Sequence, residues 1–181
     1  MEIQKELAVF AGGCFWCTEA IFQSLKGVES VISGFCGGFF PNPSYKEVVS
    51  KDTGHAEAVQ LVFDPTIISY ETLLHVFFAT HDPTTLNRQG ADIGAHYRSA
   101  IFFHTPVQER QAKQIIKELQ QCVFKRTIVT QIVPVATFYP AESYHQNYYK
   151  NHPSQGYCSF VITPKITHLK VNFPELINDV I

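Results

Sequence analysis

Apolar and polar positions alternate over residues 5–11 (KELAVFA), the period-two signature of a strand, and Gly12-Gly13 interrupts it. Residues 15–26 then follow a helical period, with Ala20, Ile21 and Leu25 on one face and Gly27 in the place where helices commonly stop. A second strand is predicted over 28–35, a loop dense in Gly, Pro and Asn over 37–45, and a third strand over 56–63 that Asp64-Pro65 ends. Ser69 can cap a helix over 70–79, whose Leu73, Leu74, Phe77 and Phe78 form a buried stripe. Residues 82–97 read as a second long polar loop, and 98–104 as a fourth strand. Thr105-Pro106-Val107-Gln108 supplies an N-cap, Pro at the first helical position and Gln at the third, opening a helix that runs to about residue 121. A fifth strand near 129–138 precedes an aromatic-rich tail with no clear period.

The core order is βαββαβ, that of a split βαβ. The expectation is an α+β fold: a two-layer ferredoxin-like sandwich with long loops and an irregular C-terminal tail. It forms a single domain, with a core over about 5–140 and a C-terminal segment over about 141–181. No repeat or linker divides the chain, and loops this long inside a compact domain usually carry function.

Composition narrows the function classes. The chain has 181 residues, 45% of them hydrophobic and 17% charged, and a formal net charge of −2. That is the balance of a globular protein with enough chain to bury a core. It lacks the basic excess of a phosphate-tracking surface. No apolar run reaches the length of a membrane-spanning helix, and Met1-Glu2-Ile3-Gln4-Lys5-Glu6 lacks the basic-then-apolar order of a secretory signal, so a cytoplasmic setting is expected. Methionine occurs only at Met1. The cysteines are Cys14, Cys17, Cys36, Cys122 and Cys158. In a reducing compartment, that set points to thiol chemistry or metal binding more than to structural disulfides.

Cys14 stands where a strand hands over to a helix, in Gly12-Gly13-Cys14-Phe15-Trp16-Cys17. The first turn of a helix has unpaired N–H groups and positive partial charge, and cysteines placed there tend to have lowered pKa values. The glycines permit a tight turn and leave space beside the sulfur. Three other readings of these residues stay open: a small buried hydrophobe, a thioredoxin-like dithiol from Cys14 and Cys17, and half a zinc site. For zinc, no second C-x-x-C is present, and His145 and His152 are too widely spaced for an obvious ligand pair. Neither a metal nor another cofactor is expected.

Longer blocks sharpen this. GGCFWC, NPSYKEV, TGHAEAV, DPTIISYETLL, HDPTTLNRQGADIGAHYRSAIFF and YHQNYYKNHPSQGYC together cover most of residues 10–158. In order and spacing they resemble the peptide methionine sulfoxide reductases of the A type, which restore oxidised methionine and act on the S epimer. The resemblance implies that Cys14 is the nucleophile and that Phe15 and Trp16 wall the site of the substrate's S-methyl group. It implies that Glu57 protonates the sulfoxide oxygen, that Tyr45 and Tyr97 aim hydroxyls at the same oxygen, and that Asp92 lies beside the pocket. Cys14 would become a sulfenic acid, a second thiol would condense with it, and thioredoxin would reduce the resulting disulfide. Substrates would be oxidised proteins, peptides or free methionine sulfoxide, and the working unit a monomer.

The recycling thiol is less clear. Cys158 matches the family's recycling cysteine, on a segment that Pro153, Ser154 and Gly156 would allow to swing, and it is the preferred candidate. Cys17 stands where most relatives carry Gly and is the alternative; Cys36 and Cys122 read as structural. His96, where relatives often carry Gln, is expected to bear on the pocket's response to pH. Two other functions compete with the reductase: a general thiol–disulfide oxidoreductase using Cys14 and Cys17, and a non-catalytic module that only binds oxidised methionine.

Overall fold

A computed structural model describes residues 4–178. Strand β1 (Glu6–Gly12) lies in the middle of a six-stranded sheet. It is followed by α1 (Phe15–Gln23), β2 (Val28–Cys36), α2 (Tyr45–Ser50), β3 (Ala56–Phe63) and α3 (Tyr70–Thr80). Next come a short hairpin of β4 (Arg88–Gln89) and β5 (Asp92–Ile93), then β6 (Ser99–Phe103), α4 (Pro106–Cys122), β7 (Gln131–Pro134) and β8 (Tyr139–Pro140). The chain closes with α5 (Tyr148–Asn151) and α6 (Thr163–Asn172).

The sheet order is β7-β6-β1-β3-β2-β8. β1 pairs antiparallel with β3 and β6, and β2 antiparallel with β3 and β8, while β7 runs parallel to β6. The result is a mixed α+β architecture. Because side chains alternate across a strand, β1 feeds two cores. Ala8 and Phe10 enter the large core beneath α1, α3, α4 and α6, where Phe10 stacks on Phe22, Tyr70 and Phe77. Val9 and Ala11 face the other side, with Cys36, Ala56, Ala58, Ala100 and Phe102. Both faces of β1 are therefore buried, which explains its almost unbroken apolar run.

Several expectations need correction. The strand expected over 129–138 is cut to Gln131–Pro134; the chain then crosses under the sheet, and Val135 and Phe138 cover the small second core before β8 joins the opposite edge. α1 stops at Gln23, three residues short of the expected end. The loop expected over 37–45 ends in an unforeseen helix, since the Ser44 and Glu47 side chains close a capping box that opens α2 at Tyr45. The polar loop over 82–97 contains the β4–β5 hairpin and a 3-10 turn over Ala95–Tyr97.

The largest correction concerns the tail, which is not irregular. It forms 3-10 turns over Ser143–His145 and Pro174–Leu176, α5, and a π-helical turn over Cys158–Ile162 that runs directly into α6. Cys158, Ile162, Ile166 and Leu169 recur every three or four residues and are buried in the large core, and polar bonds add to that attachment. Glu19 on α1 accepts the backbone N–H groups of Asn147 and Tyr148, and the Gln146 side chain bonds both the N–H and the C=O of Ser33. Among the described residues, no helix is long and apolar enough to cross a membrane.

Candidate active site

Cys14 is the N-cap of α1, and its carbonyl accepts the N–H of Cys17 at 3.1 Å. Gly13 before it has φ +95°, and a Cβ there would come within 2.7 Å of the Gln89 side chain, so this position admits only glycine without strain. Gln89 is itself tied back to the backbone N–H and C=O of Asp82, which presses the β4–β5 hairpin against the turn.

Glu57, second residue of β3 and opposite Phe35 in the ladder, points its carboxyl at the start of α1. Its Oε2 accepts the backbone N–H of Phe15 at 3.0 Å. The residue is 1% exposed. Burial raises its pKa to about 8, against the pull of the Phe15 N–H, with the Asp92 and Cys17 charges adding to the rise. At pH 7 the protonated form outnumbers the ionised one by roughly ten to one.

Cys17 lies one turn along α1, and each of the two thiols shifts the other's titration. The thiol of Cys14 is pushed well up by the neighbouring Cys17, by burial and by the Glu57 charge. Cys17 drops to about 7: the neighbouring Cys14 favours its thiolate, and Lys165 and the Tyr157 hydroxyl help against burial. The lowered pKa expected of a helix-start cysteine therefore belongs to the pair and sits on Cys17.

Cys14 and Cys17 line a cavity of about 170 Å³ together with Gln89, Asp92, Tyr157 and Lys165. The Tyr157 hydroxyl donates to Asp92 Oδ2 at 2.6 Å and lies 3.7 Å from Cys17 Sγ. The Tyr45 and Tyr97 hydroxyls lie near each other and near Cys14 and Glu57, close enough for these charges to act on them. Burial raises Tyr45 to about 12 and also raises Tyr97, so both hydroxyls keep their protons. Phe15 is buried against Phe35, Tyr45 and His145. The Trp16 ring lies parallel to Tyr148 at 3.6 Å and donates from Nε1 to His145 Nδ1. His96 is half-buried against Tyr97, and burial lowers its pKa against the opposing Asp92 charge.

Of the cysteines, Cys158 is fully buried in the large core and is not part of this cavity's lining. Cys36 belongs to the core on the other sheet face, and Cys122 is exposed at the end of α4. His145, Tyr148, Tyr157 and Lys165 were not singled out from sequence as site residues. The block YHQNYYKNHPSQGYC held three of them, but only the packing of the tail on α1 brings them there.

A paired thiol beside a neutral, buried carboxylic acid and two protonated phenols has the chemistry of a thiol-dependent oxidoreductase. The comparisons agree. A family model described as Peptide methionine sulfoxide reductase matches residues 6–176. The chain is 60% identical over 167 residues to the peptide methionine sulfoxide reductase MsrA of Deinococcus radiodurans, covering 92% of this chain and 81% of that one. In solved structures, methionine sulfoxide reductase A of Corynebacterium diphtheriae superposes with a TM-score of 0.80 at 35% identity, covering 86% of this chain and 78% of that one. Mxr1 from Saccharomyces cerevisiae in reduced form gives 0.79 at 34% identity, covering 87% and 91%. Mxr1 in complex with Trx2 gives 0.56 at 25% identity, covering 82% and 87%. This chain belongs to the peptide methionine sulfoxide reductase family, and it is an oxidoreductase.

Proposed function

We propose that this protein reduces methionine-(S)-sulfoxide, in proteins and as the free amino acid, through a sulfenic acid on Cys14. The Cys14 thiolate attacks the sulfinyl sulfur while Glu57 gives a proton to the sulfoxide oxygen. Oxygen and proton end on Cys14 as the sulfenic acid, and the sulfur leaves as the thioether of methionine. Tyr45 and Tyr97 donate hydrogen bonds to the same oxygen, Phe15 and Trp16 hold the S-methyl group, and Asp92 orders the polar end of the substrate. A second thiol of the chain then closes a disulfide with loss of water, and a thioredoxin dithiol reduces it by exchange.

One observation carries the reading: Glu57 is a buried carboxyl with a pKa of about 8, bonded to the N–H of the residue next to Cys14. A proton donor is what sulfoxide reduction needs, and dithiol exchange has no use for one at that place. The complex of the yeast relative with Trx2 supports a thioredoxin as the reductant. The cytoplasm is a setting that supplies one. The same reading takes the four central strands, in the order β6-β1-β3-β2 with antiparallel neighbours, as the ferredoxin-like core of one catalytic domain.

The test is a peptide carrying one methionine sulfoxide epimer, incubated with the protein and dithiothreitol and followed by mass spectrometry. The S epimer is expected to lose one oxygen mass and the R epimer to persist. An unchanged S epimer would refute the proposal.

A further inference from the structure

We infer that Cys17 is the thiol that resolves the Cys14 sulfenic acid, closing a Cys14–Cys17 disulfide across the first turn of α1. The inference rests on the reductase reading above and names the step that reading leaves open.

The geometry separates the four other cysteines. Cys17 is three residues from the N-cap Cys14 on one helix turn, its N–H donates to the Cys14 carbonyl at 3.1 Å, and both cysteines line the same cavity. Cys158 is fully buried in the large core at the start of the π-helical turn. Its N–H donates to Gln155 Oε1, and its C=O accepts the Thr163 hydroxyl at 3.1 Å. For Cys158 to reach Cys14, those bonds must break and the turn must unwind. Cys36 is on the far face of the sheet, and Cys122 ends α4. Only Cys17 needs no more than a side-chain rotation.

The surroundings of Cys17 suit the role. Lys165, in the first turn of α6, lines the cavity and favours a negative charge on the Cys17 sulfur. The Tyr157 hydroxyl lies 3.7 Å from that sulfur. In the resolving step Cys17 Sγ attacks Cys14 Sγ, the S–S bond forms and the S–O bond breaks. The oxygen leaves as water, carrying the sulfenic hydrogen and the proton given up by Cys17. For recycling, an external thiolate attacks Cys14, the more exposed residue of the two, and expels Cys17. A leaving thiol of low pKa departs faster, which suits Cys17 at about 7. Lys165 and Tyr157 thus act through Cys17, as positioning residues on α6 and on the turn before it.

The experiment uses the full chain, reduced, freed of reductant and given a small excess of methionine-(S)-sulfoxide. Methionine formed is measured together with free thiols, and the protein is then alkylated, digested and mapped. Wild type is expected to form one equivalent of methionine, to lose two of its five thiols and to yield a Cys14–Cys17 peptide pair. Cys158→Ser is expected to lose two thiols as well and give the same pair. In Cys17→Ser, dimedone is expected to trap the Cys14 sulfenic acid, and turnover driven by thioredoxin, its reductase and NADPH to fall by at least about tenfold. A Cys14–Cys158 pair in wild type, or loss of a single thiol in Cys158→Ser, would overturn the inference while leaving the reductase reading in place. If wild type forms no methionine, the reductase reading fails and this inference with it.

Discussion

Two turns in this protein open a helix at a cysteine, and they are held in opposite ways. The Cys14 turn hangs from β1, a strand buried on both faces, and its shape follows from adjacent residues: a glycine at φ +95°, an N-cap, and a helix that starts at Phe15. The Cys158 turn has local bonds from Gln155 and Thr163, but its burial in the large core depends on distant elements. Residues 151–156, before it, are exposed, and its position depends on bonds between the tail and α1 or β2, more than a hundred residues away in sequence. A reactive sulfur benefits from the first kind of support, because its neighbours then keep fixed distances whatever the rest of the chain does. The second kind suits a cover, and the tail acts as one: Tyr148 and Tyr157 pack on the Trp16 indole.

The largest test of this contrast removes the sulfur of the rigid turn. Cys14→Ser is expected to lower methionine formation by on the order of 10⁴-fold or more, since losing a nucleophile is not compensated by the remaining groups. Chromatography of product formed over hours would measure it. Activity within tenfold of wild type would show that another thiol attacks.

Glu57→Gln keeps an acceptor for the Phe15 N–H but has no proton to give. A drop of about 10²–10³-fold at pH 7 is expected. The pH profile carries the sign. The first step needs one negative charge on the Cys14/Cys17 pair, gained as pH rises through about 7. It also needs a proton on Glu57, lost as pH rises through about 8. Wild-type rates should therefore peak between the two and fall on both sides, with apparent values that belong to the coupled groups. In Glu57→Gln the alkaline fall should vanish; its survival would assign that limb to another group.

Glu19→Ala addresses the cover. It removes the carboxylate that accepts the part-buried N–H groups of Asn147 and Tyr148, an expected loss of about 1–3 kcal/mol in a denaturant titration. The tail should lose protection from hydrogen exchange before β1 does. Equal loosening of both would contradict the contrast drawn here. The smallest effect is expected for Cys122→Ser, an exposed position: stability within about 0.5 kcal/mol of wild type and unaltered turnover.

Much of the sheet could be read from the chain. β1, β3 and the helix starts at Ser69 and Thr105 follow from apolar period, cap residues and a Pro at the first helical position. The parts that escaped have identifiable causes. α2 is six residues long with one buried side chain, too little for a period to register, although its capping box was visible in Ser44 and Glu47. The tail's stripe of Ile162, Ile166, Leu169 and Phe173 is short and crosses from a π-helical turn into α6, and polar bonds such as Glu19 to Asn147 and Gln146 to Ser33 add to the holding. Gln146 and Asn147 look like ordinary surface residues until their partners are known.

The Cys14 site divides in the same way. Its place at a strand-to-helix turn, and the motif blocks that bring in Glu57, Tyr45, Asp92 and Tyr97, were present in the order of residues alone. Three things were not: that Glu57 keeps its proton, that Cys17 takes the low pKa while Cys14 is raised, and that Cys158 is buried apart from the cavity. The first and third depend on desolvation and packing by residues distant in the chain, and the second adds burial and the distant Lys165 charge to the mutual influence of two neighbouring cysteines. Backbone preferences act between neighbours and leave their mark in local sequence; the protonation and reach of a side chain are set by whatever the fold packs around it.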